Sequence, residues 1–298
     1  MRELPYLVDA HHHLWDLDAC RHTWLAEKGV VRFFGDPAPI QKNYRVPDFR
    51  ADFGALKVEK SVHIQVGVEE NDSLNETNWL QSQSDAHGLP NAIVAFCDLT
   101  QDSVEDDLSA HAAVSGVRGI RQIIGRSAEE DRKTGTSALL ANPRFEQGLK
   151  ILAKTGMSFD LQLTPPLMRG SAELFSRVPD LKVALCHCGS LSAFDTESLS
   201  EWEDGLRGLA KRPNLICKIS GFGMFNHQWT QTHIEPLIHR VIDIFGPERV
   251  AFGSNFPVDK LYASYEDTIG AYLDICQQYS LAERDAMFRT VAEDFYGI

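Results

Sequence analysis

The sequence predicts an α/β protein folded as one (β/α)8 TIM barrel, and three observations carry that prediction. Short apolar, β-branched runs recur eight times along the chain, segments with helical spacing lie between them, and most of the runs end on polar or ionisable residues. Strand and helix in repeated alternation specify a parallel sheet with crossover helices. The 298-residue length suits such a barrel, because eight strand–helix units typically occupy about 250 residues. No shift in composition marks a second domain within residues 1–298.

The elements follow in order. YLVDAHHH from residue 6 is the first strand, SVHIQV from 61 the second, AIVAF from 92 the third and GVRGIRQII from 116 the fourth. MSFDLQL from 157, LKVALCH from 181, NLICKIS from 214 and RVAFGSN from 249 complete the eight. Helical patterning appears in RFEQGLKILAKTG, AELFSRVPD, EWEDGLRGLAKRP and HIEPLIHRVIDIFGPER, several of which stop at Gly or Pro, as helices do. A tail helix, LAERDAMFRTVAEDFYGI, closes the chain. The stretch from about 14 to 58 is rich in aromatics, Pro and Gly and is expected to be a long loop or lid.

Charge narrows the partners. With 29 basic against 42 acidic residues and a net charge of −13, the chain lacks the electrostatic footprint for nucleic acid or an anionic membrane surface. A small-molecule substrate is expected. Six scattered cysteines do not make a disulfide scaffold and read as reduced thiols. Cys186 and Cys188 flank His187, but no second pair follows at zinc-finger spacing. The N-terminal residues lack signal-peptide features, and no apolar run approaches the roughly 18 residues of a membrane span, so a cytoplasmic location is expected. The sequence is silent on oligomeric state; a homo-oligomer is compatible with it.

In a barrel of this kind the chemistry sits at the C-terminal ends of the strands. Period-two alternation puts Asp9, His11 and His13 on one face of strand 1, with His12 pointing away. The same rule aims His63 and Gln65, Asp160 and Gln162, His187, Lys218 and Ser220, and Asn255 inward. Arg118, Arg121 and Gln122 end strand 4 with their facing open. Cations at strand ends of an acidic protein suggest an anionic or polyhydroxylated substrate, since Arg binds carboxylates bidentately. Arg118, Arg121 and Lys218 are therefore candidate substrate contacts, alongside His63, Gln65 and Gln162; structural ion pairing is the alternative. His22, Trp24 and Tyr44 in the long loop either meet substrate or pack. Gly221 and Gly223 suit a tight loop carrying Phe222 and Phe225 as candidate lids.

VDAHHHLWD, CHCGS, KISGFGMF and FGSNFPVDKL resemble, in order and spacing over almost the whole chain, the amidohydrolase-related TIM barrels that include sugar-lactone and 2-pyrone-4,6-dicarboxylate lactonases. The resemblance implies an amidohydrolase-like barrel with the site on His11, His13, His187 and Asn255. Some members hold a divalent metal, whereas the pyrone-lactonase type works through direct histidine contacts. Where the family commonly carries a water-activating aspartate, this chain has Asn255, and an amide cannot accept a proton as a carboxylate does. GVRGIRQII also offers no counterpart of the lysine that bridges two metals in binuclear relatives.

These readings leave two modes open. Either one divalent ion, zinc by ligand type, rests on His11, His13 and His187, or no metal is present and the histidines and a cation stabilise the oxyanion. Asp160 is the best remaining carboxylate for the proton of water, unless it is paired with Arg121 or Lys218. The expected function is a lactonase, a hydrolase opening a cyclic ester. A metal-dependent decarboxylase of an aromatic acid and a barrel that only binds a small anion are the competing readings.

Overall fold

The computed structural model describes residues 4–298. Eight strands, β1 (Leu7–His12), β2 (Val58–Ile64), β3 (Ala92–Ala95), β4 (Val117–Ile120), β5 (Ser158–Leu161), β6 (Val183–Leu185), β7 (Leu215–Ile219) and β8 (Val250–Phe252), pair in sequential order. Every recorded pairing is parallel. All eight coincide with the apolar runs, and the expected (β/α)8 barrel is the fold observed. Between them run helices whose ends follow from local chemistry. The helix Pro143–Thr155, for example, starts on Asn142, whose side chain accepts from Arg144 N, and stops at Gly156 in the left-handed conformation.

The barrel closes between β8 and β1. Asn255 N donates to His11 O at 2.7 Å, and His13 N donates to Phe256 O at 2.7 Å. Here β1 departs from simple alternation, because a bulge shifts its register on β2 between Asp9 and His12. A bulge leaves backbone N–H groups without ladder partners. Asp9 supplies one acceptor for two of them: its Oδ1 receives His11 N at 3.1 Å and Ser254 N at 3.0 Å, while Oδ2 receives Tyr265 Oη–H at 2.9 Å. Glycine at 253 permits the approach, since a Cβ there would lie 2.6 Å from His11 N.

The bulge overturns the strand-1 expectation in part. Val8 and Ala10 pack inside the barrel with Val62, Ile64, Val94, Ala184, Ile216 and Ala251, so Asp9 carries the opposite parity and bonds outward to the helix Tyr265–Ile275. His11 and His13 follow the extra residue and recover the inward face. His12 points away as expected, stacked on Phe49 at 4.1 Å with Nε2 at 2.9 Å from Ser61 Oγ. In β2 the inward residues are Val62 and Ile64, so the inward placement expected of His63 and Gln65 is corrected.

Below the site the floor is sealed by the chain's end. Val291, Ala292, Phe295 and Tyr296 of the helix Val291–Tyr296 pack against the interior cluster. Tyr296 Oη donates to both Asp160 oxygens at 3.0 Å, and the Lys218 ammonium donates to Asp160 Oδ2 and, at 3.1 Å, to Ala10 O. Lys218 and Asp160 side chains are both 0% exposed, which settles the alternative left open for Asp160. Removing one member of a buried pair strands the other charge, at a cost of about 3–5 kcal/mol. Lys218→Met is accordingly expected to lower urea-derived stability by about that much, and Lys218→Met with Asp160→Leu to recover most of it. A single-variant loss below about 1 kcal/mol would contradict a structural role for the pair.

Candidate active site

The strand ends converge on a cavity of about 510 Å³ lined by His13, Arg121, Gln162, His187 and Asn255, with Trp24, Phe33, Phe34 and Met224 among its walls. The backbone at two of these positions is unusual. His187 has φ 53° and Asn255 φ 58°, left-handed values that cost a non-glycine residue about 1–2 kcal/mol, least for Asn. Strain of this kind gathers where a side chain must be aimed. Gly221 accommodates the result, since a Cβ there would lie 2.6 Å from His187 Nδ1.

Three imidazoles meet. The His11 ring centroid lies 4.4 Å from that of His187 and 5.1 Å from that of His13. His13 Nδ1 is 2.7 Å from Ile64 O, and its Nε2 is 3.2 Å from Asn255 Oδ1. His187 Nδ1 is 2.9 Å from Ser220 Oγ. His11 is fully buried behind the other two, and neither of its nitrogens has a partner. Burial holds all three neutral. It pushes His13 down to about 3, with Arg121 adding to the effect, and it pushes His11 and His187 far below the usual histidine range, reinforced by their neighbouring cations.

Arg121 is the main charge facing this cluster. Its guanidinium is buried and meets neutral oxygens, Gln162 Oε1 at 2.8 Å and the Gln65 carbonyl. Burial pushes it downward, as it does Arg126, which lines the same cavity.

Of the residues singled out from sequence, the structure brings His11, His13, His187, Asn255, Arg121 and Gln162 together. Of the others only Trp24 reaches the cavity. Asp160 and Lys218 form the floor pair. Arg118 donates to Ser115 O and Val117 O at 2.6 and 2.9 Å, so the substrate contact expected of it is not met. His63 Nδ1 accepts Leu14 N at 3.1 Å, and Gln65 Oε1 accepts Gly67 N at 2.6 Å, which puts both in supporting positions. In the long loop Trp24 reaches the cavity, while His22 pairs with Glu76 and Tyr44 donates to Asp52. Phe222 packs on Tyr272, Phe225 stacks on Phe33, and Met224 is the lining residue of that loop.

Sequence reasoning missed Arg126 and Asp259. Asp259 is buried four residues beyond Asn255 and accepts Asn255 Nδ2 at 3.0 Å. Burial raises it to about 7. The one available signal was an acidic residue directly after an apolar Phe-Pro-Val stretch.

The donor set was tested against the zinc site expected on His11, His13 and His187. Among the described residues no three His, Cys, Asp or Glu side chains are grouped to hold a metal ion. No carboxylate accompanies the imidazoles, His13 Nε2 faces an amide oxygen, and Arg121 already places uncompensated positive charge beside them. The imidazoles thus lack a charge-balancing ligand, while both nitrogens of His11 are without a partner, and a zinc ion on His11, His13 and His187 stays an expectation of the family resemblance. All six cysteines are buried free thiols. Among the described residues no helix is long and apolar enough to cross a membrane.

Comparison with known proteins places this geometry in context. The family profile described as Amidohydrolase matches residues 8–298. An uncharacterised protein of Sinorhizobium fredii is 36% identical over 293 residues, covering 98% of each chain. An L-fucono-1,5-lactonase of Burkholderia ambifaria is 25% identical over 283 residues, 92% of this chain and 88% of its own. A crystal structure of an amidohydrolase from Burkholderia multivorans with bound zinc superposes with a TM-score of 0.83 at 24% identity, covering 98% of this chain and 99% of that one. That likeness concerns the fold.

Two outcomes follow from the site. His11, His12, His13, His63 and His187 are all depressed by burial. The unfolded chain then binds more protons than the folded one below about pH 6.5, and stability must fall as pH drops through that region. Asp9 and Asp259 are raised and act the other way, favouring the folded state at lower pH, but they are two groups against five. Thermal midpoints are expected to decline steadily from about pH 6.5 to 4, and a flat profile would contradict neutral buried histidines. Elemental analysis of protein purified without added metal separates the two modes: less than about a tenth of an equivalent of zinc is expected for direct histidine contacts, and close to one equivalent for an ion on the three imidazoles.

Proposed function

Because the chain belongs to the amidohydrolase family, we propose that this hydrolase is a lactonase acting on a cyclic ester that carries an anionic group. The carrying observation is the facing of His13 Nε2 and Asn255 Oδ1 at 3.2 Å on the cavity wall. A neutral His13 that gives its Nδ1 proton to Ile64 O has only a lone pair at Nε2, and an amide oxygen is also an acceptor. Two acceptors in contact call for a donor, and a water at the cavity wall can donate to His13 Nε2 and keep a lone pair for the ester carbonyl carbon, with Asn255 Oδ1 beside it.

The rest of the reaction uses neighbouring groups. As the water oxygen bonds to the carbonyl carbon, His13 Nε2 takes its proton and the new N–H is received by Asn255 Oδ1. We assign the His187 tautomer in which Nδ1, 2.9 Å from Ser220 Oγ, accepts the hydroxyl proton, so that Nε2–H donates to the developing oxyanion. The ring C–O bond then breaks, and the imidazolium returns the proton to the leaving alkoxide, giving a hydroxy acid. Arg121 receives the substrate's anion. Its charge is one cause of the low proton affinity of His13 and His187, so an anion bound there makes His13 a better base.

The lactonase relative at 25% identity over 92% of this chain supports the ester class. Arg121, a cavity-lining cation whose guanidinium hydrogen-bonds to neutral oxygens, supports an acidic substrate over a neutral sugar lactone, whereas Arg126 is faced by Glu130 and Asp131. The test is a panel of neutral aldonolactones and carboxylated lactones, followed by acid release with a pH indicator. Turnover is expected for carboxylated members, with His13→Ala lowering kcat/KM by about a hundredfold or more. Arg121→Gln is expected to act mainly on KM, by about tenfold or more for acidic substrates. Failure to open any lactone would sink the reading, and hydrolysis that survived His13→Ala would sink the mechanism.

A further inference from the structure

We infer that Asp259 is a positioning residue for the hydrolytic water: its carboxylate fixes the Asn255 amide so that the oxygen, not the NH2, faces His13 Nε2. The inference rests on the lactonase reading for its catalytic consequence, but its geometric content stands apart from any substrate. An asparagine side chain has two nearly equivalent orientations, and its neighbours decide between them. On one side of Asn255 is His13, whose Nε2 lone pair, with the Nδ1 proton given to Ile64 O, would by itself favour the NH2 as a donor, so the orientation observed needs a stronger partner. On the other side is Asp259, buried to 2% exposure.

The decision is made at Asp259. Besides accepting Asn255 Nδ2 at 3.0 Å, its carboxylate lies by the backbone N–H groups of Gly223 and Met224, which favour its ionised form. All three partners are N–H donors, and the carboxylate answers each with oxygen lone pairs. Turning the Asn255 amide over while Asp259 is ionised would set Oδ1 against a carboxylate oxygen, an unpaired contact between acceptors in a buried place. The loop after β7 is shaped to hold the carboxylate there: a Cβ on Gly223 would lie 3.2 Å from Asp259 Cγ. Asp259 N in turn donates to Asn255 O at 3.2 Å, so the two residues brace each other within one turn of chain.

The alternative orientation would disable the water site. An Asn255 NH2 donating to His13 Nε2 occupies the lone pair that is to take the proton, and it removes the second acceptor. A carboxylate is thus present one amide beyond the strand-8 position, acting through orientation and charge rather than by touching water. Asp259 was not among the residues that the sequence pattern brought forward, and no reacting atom touches it.

Two readouts test this. In 15N-labelled protein, the Asn255 side-chain amide is expected to show one downfield, slowly exchanging proton held by Asp259. Asp259→Asn, which is isosteric, is expected to speed that exchange by about tenfold or more. On the most rapidly hydrolysed lactone of the panel, the same variant is expected to lower kcat by about tenfold or more with KM within about twofold. Gly223→Ala, which crowds the carboxylate, is expected to move both readouts in the same direction and serves if Asp259→Asn folds poorly. An unchanged amide exchange rate, or a variant whose loss lies wholly in KM, would overturn the inference. If no lactone is hydrolysed at all, the exchange measurement still decides the geometry, and the failure belongs to the functional reading alone.

Discussion

The fold and the site depend on one carboxylate, that of Asp9, which joins the last strand of the barrel to the first. Its Oδ1 takes the N–H of His11 and the N–H of Ser254, groups left over where β1 bulges and β8 ends. Without that acceptor two buried donors would go unpaired, each at a cost of about 1–3 kcal/mol. With it, β8 is drawn against β1 closely enough for Asn255 N to reach His11 O and for His13 N to reach Phe256 O. His11, His13 and Asn255 therefore share one set of main-chain bonds. The seam of the barrel and the proposed catalytic surface are the same stretch of backbone.

Charge is partitioned along the barrel axis. At the floor, Lys218 and Asp160 neutralise each other under Tyr296, sealed from solvent by the C-terminal helix. At the mouth, Arg121 meets neutral acceptors and the imidazoles beside it are uncharged. A buried cation without a counter-charge is expensive unless a ligand supplies one. That imbalance favours an anion at the mouth. It also couples binding to chemistry, since an anion at Arg121 relieves the field that keeps protons off His13 and His187.

Much of this was legible in the sequence, and the losses have physical causes. All eight strands could be placed from apolar runs, and the convergence of His11, His13, His187 and Asn255 followed from their positions at strand ends. Parity failed at β1 because a bulge adds a residue that no periodicity records. It failed at β2 because Val62 and Ile64 hold the inward face while the polar residues between them serve neighbouring backbone. Asp160 and Lys218 were correctly aimed inward, but depth decides their role, and depth along a strand depends on where the plugging helix stops. Arg118 and Arg121 could not be separated by sequence, and only the end of β4 shows which one turns into the cavity. Asp259 opens a single 3-10 turn and Arg126 lies in a loop, and neither segment has a repeating pattern long enough to read.

The amide at position 255 gains its sense from its backbone. At φ 58° the residue stands in the left-handed region, where Asn is among the least costly side chains. An aspartate at 255 would put negative charge 3.2 Å from His13 Nε2, and an opposite charge at that distance favours the imidazolium. His13 would then hold its proton in the ground state and have no lone pair to offer. The amide leaves the ring neutral and an acceptor, while Asp259, one hydrogen bond further away, still supplies charge to steady the imidazolium once it forms. Distance sets that balance: close enough to orient Asn255, and too far to protonate His13 before the substrate arrives.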